Sequence, residues 1–193
     1  MRTLFIHPTD PTTEFLNSVY ADYVGSDDIV VINGEEIQEQ EIEREIINAD
    51  RIVFLGHGTE NGLINFRRDN NNNRIGFDYV ITANEVHLFR NKEIICVWCN
   101  ANIFADRHDL NAFATGMFVS EIGEAIQYHL TPSQEMIDAS NTLFCNILSR
   151  CVFDDIGTII NIIDRAYIDN NNPIVCFNRE CMGLESTSVA QSL

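Results

Sequence analysis

Short β-branched apolar runs, separated by longer segments of helical period, are the feature that most limits what this chain can become. They read as strands joined by crossover helices. The runs are Thr3-Leu4-Phe5-Ile6, Ile29-Val30-Val31-Ile32, Ile52-Val53-Phe54-Leu55, Ile94-Ile95-Cys96-Val97-Trp98, Met117-Phe118-Val119 and Ile174-Val175-Cys176-Phe177. Most are continuous rather than alternating, so both faces of the sheet are expected to be covered. The expected class is α/β, a three-layer αβα sandwich around a mostly parallel sheet of about six strands. With 193 residues, 45% of them hydrophobic, and no internal repeat or shift in composition, residues 1–193 read as a single domain.

The helices are legible from caps and stripes. Thr131-Pro132-Ser133-Gln134 predicts a helix start capped by Thr131. Met136, Ile137, Leu143, Phe144, Ile147, Leu148 and Cys151 then recur at spacings of three and four. Asp154 or Asp155 caps a second helix with the stripe Ile156, Ile159, Ile160, Ile163 and Tyr167. Residues 35–48 read as an exposed crossover helix, and a shorter helix is expected from Glu121 to Leu130. Residues 59–79, which hold Asn70 to Asn73, read as a hairpin or long loop, and Asn170-Asn171-Asn172-Pro173 as a turn into the last strand.

Charge narrows the function. Twelve Lys and Arg against twenty-nine Asp and Glu give −17, which repels phosphate backbones and anionic lipid, so neither a nucleic acid nor a membrane surface is an expected partner. No apolar run approaches the ~20 residues that span a bilayer. The N-terminal apolar stretch is too short for a signal-peptide core. The six cysteines are too few for a disulfide scaffold, and the expectation is a reduced, cytoplasmic protein. Gly56-His57-Gly58 begins like a dinucleotide fingerprint, but its third glycine is displaced to Gly62, and no cofactor is expected. Cys96-Val97-Trp98-Cys99 has the spacing of a redox or zinc half-site. On a strand its two thiols point to opposite faces and no second pair exists, so no metal is expected either.

Two strand ends carry chemistry. The third run ends in His57 between two glycines, and the fourth ends in Cys99 followed by Asn100-Ala101-Asn102. Glycine permits a sharp turn and close approach, and the carboxyl edge of a parallel sheet is where ligands bind. A thiol with an imidazole beside it suits nucleophilic acyl transfer, with backbone N–H groups near Gly58 and Cys99 as oxyanion donors. Cys145, Cys151 and Cys176 read as core, and Cys181 as a loop thiol. His108 reads as part of a solvated loop.

A hydrophobic strand ending in His-Gly, with another ending in Cys about forty residues later, resembles the caspase-hemoglobinase fold of cysteine peptidases. That group includes caspases, metacaspases, gingipains, clostripain, legumain, separase and bacterial CHAT domains. Leu110 to Val119 and the amphipathic stretch Ser133 to Ser149 are similar to the short strand and the helix that come after the cysteine in CHAT domains. The resemblance implies His57 as general base, Cys99 as nucleophile, and Gly58 with Cys99 as the oxyanion hole. Metacaspases place an Asp two residues before the nucleophile to bind a basic side chain, whereas Val97 stands here. Trp98, Asn100 and Glu121 are the remaining candidates for a substrate pocket. The implied function is hydrolysis of a peptide or protein substrate, with room for a separately encoded protein partner. Two alternatives stay open: a catalytically inactive caspase-like regulatory or interaction module, and a flavodoxin-like α/β domain binding a small molecule away from both side chains.

Overall fold

The computed structural model describes residues 1–8, 10–34 and 39–184. In chain order the strands are β1 (Thr3–Pro8), β2 (Ile29–Gly34), β3 (Arg51–Leu55), β4 (His57–Thr59), β5 (Gly62–Arg68), β6 (Arg74–Ile81), β7 (Glu93–Val97) and β8 (Ala112–Ala114). The helices are α1 (Glu39–Asn48), α2 (Ala101–Arg107), α3 (Ile122–Gln127), α4 (Gln134–Cys151), α5 (Ile156–Tyr167) and α6 (Pro173–Cys181). A five-stranded sheet runs in the order β2-β1-β3-β7-β8, with every pairing parallel. A second, antiparallel sheet of three strands, β4-β5-β6, grows from the end of β3.

The continuous apolar runs have the cause expected of them. Phe5, Val53, Ile95 and Phe113 stand in register across four strands and pack on one face against α4, α5 and the 3-10 turn at Glu14–Val19. Their neighbours Leu4, Ile52 and Ile94 face the other way, onto Ile42 and Ile46 of α1 and Phe104 of α2. With both faces buried, the polar side chains of β1 and β3 lie towards the strand ends, at Thr3, His7 and Arg51. Arg51, itself buried, ties the start of β3 to Glu93 of β7 and donates to the carbonyls of Val152 and Asp154 between α4 and α5.

Two expected strands are absent, each for a local reason. Met117-Phe118-Val119 is irregular, because the amide of buried Asn178 serves as its ladder partner. Asn178 accepts from Val119 N–H at 2.8 Å and donates to Val119 C=O at 3.1 Å. The fifth sheet strand is the preceding Ala112–Ala114. Ile174-Val175-Cys176-Phe177 lies in α6, where Asn172 caps the Ile174 N–H at 2.9 Å and Pro173 opens the helix. The large sheet therefore has five strands rather than about six. The cap of α4 is Ser133, not Thr131, and Asp155 caps α5. Helix α1 begins at Glu39, residues 35–38 of the expected helix lying outside the described ones. Residues 59–79 do form a hairpin, and Asp69 organises its Asn-rich tip by accepting from the backbone of Asn71 and Asn73. Among the described residues no helix is long and apolar enough to cross a membrane.

His7, fully buried at the carboxyl end of β1 between Tyr20 and Thr13, has its pKa lowered to about 4, chiefly by burial. Its folded pKa lies below the unfolded value, so the unfolded chain binds the extra proton. Stability is full above pH 6.5 and falls as pH drops towards 4. The loss due to His7 reaches about 2 kcal/mol by pH 5. Denaturant unfolding at pH 7 and pH 5 should show a loss about 2 kcal/mol larger in the wild type than in His7→Gln, which keeps the smaller contribution of buried His57.

Candidate functional site

The end of β3 is bent out of the sheet by glycine. Gly56 keeps one more sheet bond, donating to the Val97 carbonyl at 3.0 Å, and then turns at φ 140. His57 therefore leaves the parallel sheet and starts β4. Gly58 is where the two sheets meet: a Cβ there would lie 2.1 Å from Cδ1 of Trp98 and 2.7 Å from the Gly62 carbonyl oxygen. The Trp98 indole occupies that space, only 1% exposed, and donates to the Thr59 carbonyl at 3.0 Å. One residue on, Cys99 emerges at the tip of β7, before a left-handed Asn100 (φ 66) that starts α2. Asparagine tolerates that conformation better than other side chains with a Cβ.

His57 and Cys99 line one open cleft of about 320 Å³. Ile64, Phe66 and Arg74 of the hairpin form one wall, and Met117, Glu121, Glu124 and Gln127 the other. Beneath it a recess of about 20 Å³, bounded by Thr13, Phe118 and Ser120 among others, has room for a single water. The Cys99 thiol donates to the Phe118 carbonyl at 3.8 Å and makes no hydrogen bond to His57. The Cys99 amide has no acceptor among the described residues.

The imidazole is held by a group that lies just after β1. Thr12 Oγ1 lies 2.7 Å from His57 Nε2, 2.6 Å from Asp10 Oδ1 and 2.9 Å from Arg74 Nη2. A hydroxyl has one proton and two lone pairs. Its proton goes to the carboxylate, and it accepts from the guanidinium and from His57 Nε2–H. Arg74 Nη2, a donor, also lies 3.3 Å from Nε2; with Nε2–H directed to Thr12, the neutral ring keeps its Nδ1 lone pair, which has no partner among the described residues, as the basic site. Asp10 Oδ1 is 3.4 Å from Nε2, and Asp10 pairs with both Arg68 and Arg74.

Electrostatics keep both reactive groups neutral at rest. Burial lowers the His57 pKa and the Arg74 and Arg68 charges add to this, against the pull of Asp10. Burial raises the Asp10 pKa, but hydrogen bonds from Thr12, Arg68 and Arg74 outweigh it and hold the carboxyl well below its usual range. Burial pushes the Cys99 thiol up to about 11, and Glu124, Cys181 and Glu121 push the same way, while the Phe118 contact opposes them. Burial likewise raises Glu124, which accepts from Ser120 N–H at 2.9 Å.

The expected residues thus fall into three groups. His57, Cys99, Gly58 and Glu121 line the cleft. Trp98 is buried beneath it as the anchor of Gly58 and Thr59, and Asn100 forms the turn and borders neither the cleft nor its recess. Cys96 is buried in the opposite layer among Ile94 and Phe104. Cys181 ends α6, and Cys176 lies in the same helix, donating to the Asn170 carbonyl. His108 stacks edge-on against Phe104 and borders a groove of about 830 Å³ at the amino ends of β7 and β8, remote from the dyad. Asp10, Thr12, Arg68 and Arg74 were not expected. Their signal is the polar Asp10-Pro11-Thr12-Thr13 turn after the first strand, which matters only once β1 is known to neighbour β3. No protein-family profile matches the chain, and no curated protein matches it significantly.

Gly58→Ala should lower stability by about 1–3 kcal/mol, read as a lower midpoint of denaturation, because the added methyl meets an indole and a backbone carbonyl. Glu124→Gln removes a negative charge beside the thiol and should speed Cys99 alkylation by iodoacetamide at pH 8 about threefold to tenfold. An unchanged rate would show that Glu124 does not act on the sulfur.

Proposed function

We propose that this chain is a caspase-like cysteine peptidase domain that hydrolyses peptide bonds with Cys99 and His57. The reading is carried by one observation: the two side chains, on successive strand tips, border the same cleft. Support also comes from the parallel sheet, which brings the end of β3 beside the end of β7. The unpaired Cys99 amide suits an oxyanion donor, with the Gly58 amide as its companion.

Cys99 Sγ attacks the substrate carbonyl carbon as its proton passes to His57 Nδ1. The imidazolium is stabilised by Asp10, directly and through Thr12. The C–N bond then breaks and His57 returns the proton to the leaving amine; water, giving a proton to His57, attacks the thioester, the C–S bond breaks, and that proton passes to the departing Cys99 sulfur. Glu121 and Glu124 suit a basic substrate side chain. Such a cation beside Glu124 offsets the charge that raises the thiol pKa, so bound substrate assists its own attack.

A second reading, a scaffold without catalysis, is favoured by the high resting pKa of Cys99 and by the absence of a bond between Cys99 and His57. Cleavage of a basic-residue peptide library separates the two. The peptidase reading expects activity abolished by Cys99→Ala and His57→Ala. It expects Thr12→Val to lower kcat by about tenfold to a hundredfold with KM unchanged and the pH profile shifted. Wild type indistinguishable from Cys99→Ala on every peptide would leave the scaffold reading.

A further inference from the structure

The small sheet turns one face towards the cleft, and that face is built of rings. His57 stands opposite Ile64, Ile64 opposite Tyr79, and Phe66 opposite Phe77. The rings form a ladder: His57 to Phe66 5.0 Å, Phe66 to Phe77 6.4 Å, Phe77 to Tyr79 5.5 Å between centroids. Its inner end is covered, but Phe77 is 42% and Tyr79 41% exposed. Single exposed apolar residues are ordinary, whereas a row of rings continuous with a reactive cleft is not. β6 is also an edge strand, a position usually blunted by charge. Its two charged residues are both engaged, Asp78 by Arg67 at 3.2 Å and Arg74 by Asp10 at 3.0 Å.

Charge indicates what lies there. In a chain of −17 the hairpin from Gly62 to Ile81 carries Arg67, Arg68 and Arg74 against Asp69 and Asp78, so 3 − 2 = +1. The facing wall carries Glu121 and Glu124. A polypeptide crossing from one wall to the other meets a basic-selective side and an apolar side that does not repel carboxylates. The Arg74 guanidinium lies 4.0 Å over the Phe66 ring, and we infer that Phe77 and Tyr79, backed by Phe66, are the docking wall for a large apolar side chain of an extended polypeptide substrate. The occupant rests on the peptidase reading. The ladder runs from His57 on β4 to β6, two strand spacings or ~9.6 Å, and an extended chain rises ~3.3 Å per residue, so that side chain sits about three residues from the stretch of substrate backbone beside His57.

The test uses binding, so that it does not depend on catalysis. Random decapeptides displayed on phage are selected on the full chain carrying Cys99→Ala, alone and with Phe77→Ser/Tyr79→Ser. Enrichment of aromatic or large aliphatic residues is expected on the first and should fall about tenfold on the second. Phe77→Leu, which keeps the apolar surface, should retain it and guards against a folding artefact. Equal enrichment with and without the rings, or none in either, overturns the docking wall. The enriched peptides are then offered to wild type. Cleavage two to four residues from the apolar side chain supports the stated distance, and cleavage elsewhere overturns that placement. Binding without cleavage leaves the wall standing and removes the peptidase reading.

Discussion

The indole of Trp98 fills the space that a side chain at residue 58 would need, and the candidate site depends on that contact. β4 is three residues long and belongs to a sheet that shares no strand pairing with the large one. Such a short strand has little packing of its own. What locks it to the tip of β7 is the indole lying against Gly58 and donating to the Thr59 carbonyl. Because Trp98 immediately precedes Cys99, the residue that anchors the histidine strand also sets where the thiol emerges. The geometry of the pair is therefore built into the tryptophan and glycine between them rather than into a direct bond.

Around that anchor, charge is sorted by side. Asp10 and Thr12, with Arg68 and Arg74, surround the outer nitrogen of His57, and Glu121 and Glu124 flank the thiol. The first group orients the ring and stabilises its protonated form through Asp10, while the arginines oppose early protonation. The second group disfavours the thiolate. Both reactive groups consequently rest uncharged, which suits proton transfer during attack rather than a preformed ion pair. Burial above all, and the glutamates after it, keep the thiol protonated.

Much of this is legible in the residues. The first four apolar runs form β1, β2, β3 and β7, and the two long striped helices are α4 and α5. Parallel strands buried on both faces display continuous apolar runs, and no cap followed by proline precedes any of these four to start a helix. Of the two runs that do not form strands, one has three residues and the other four, as many as the run that becomes β1, and each has its own explanation. Val119 obtains its backbone partners from Asn178, 59 residues away. Ile174 to Phe177 carries β-branched residues, yet the Asn172 cap and Pro173 direct it into a helix that buries Ile174, Val175 and Asn178. His57 and Cys99 stand out because each follows an apolar run closely and sits beside residues that permit turns. Asp10 and Thr12 do not, because nothing local to their turn says which strand tip it will face.

The sequence by itself determined the layers, the parallel sheet core and the two residues with reactive side chains, since periodicity, caps and strand ends are local properties. Only the tertiary structure decided which groups meet at the carboxyl edge. The order β2-β1-β3-β7-β8 brings the turn after β1 against His57. The hairpin returns Arg68 and Arg74 to Asp10 across about sixty residues of chain. Those contacts come from strand pairing and from the indole's need for a place without a Cβ. Neither is visible until the chain has folded back on itself.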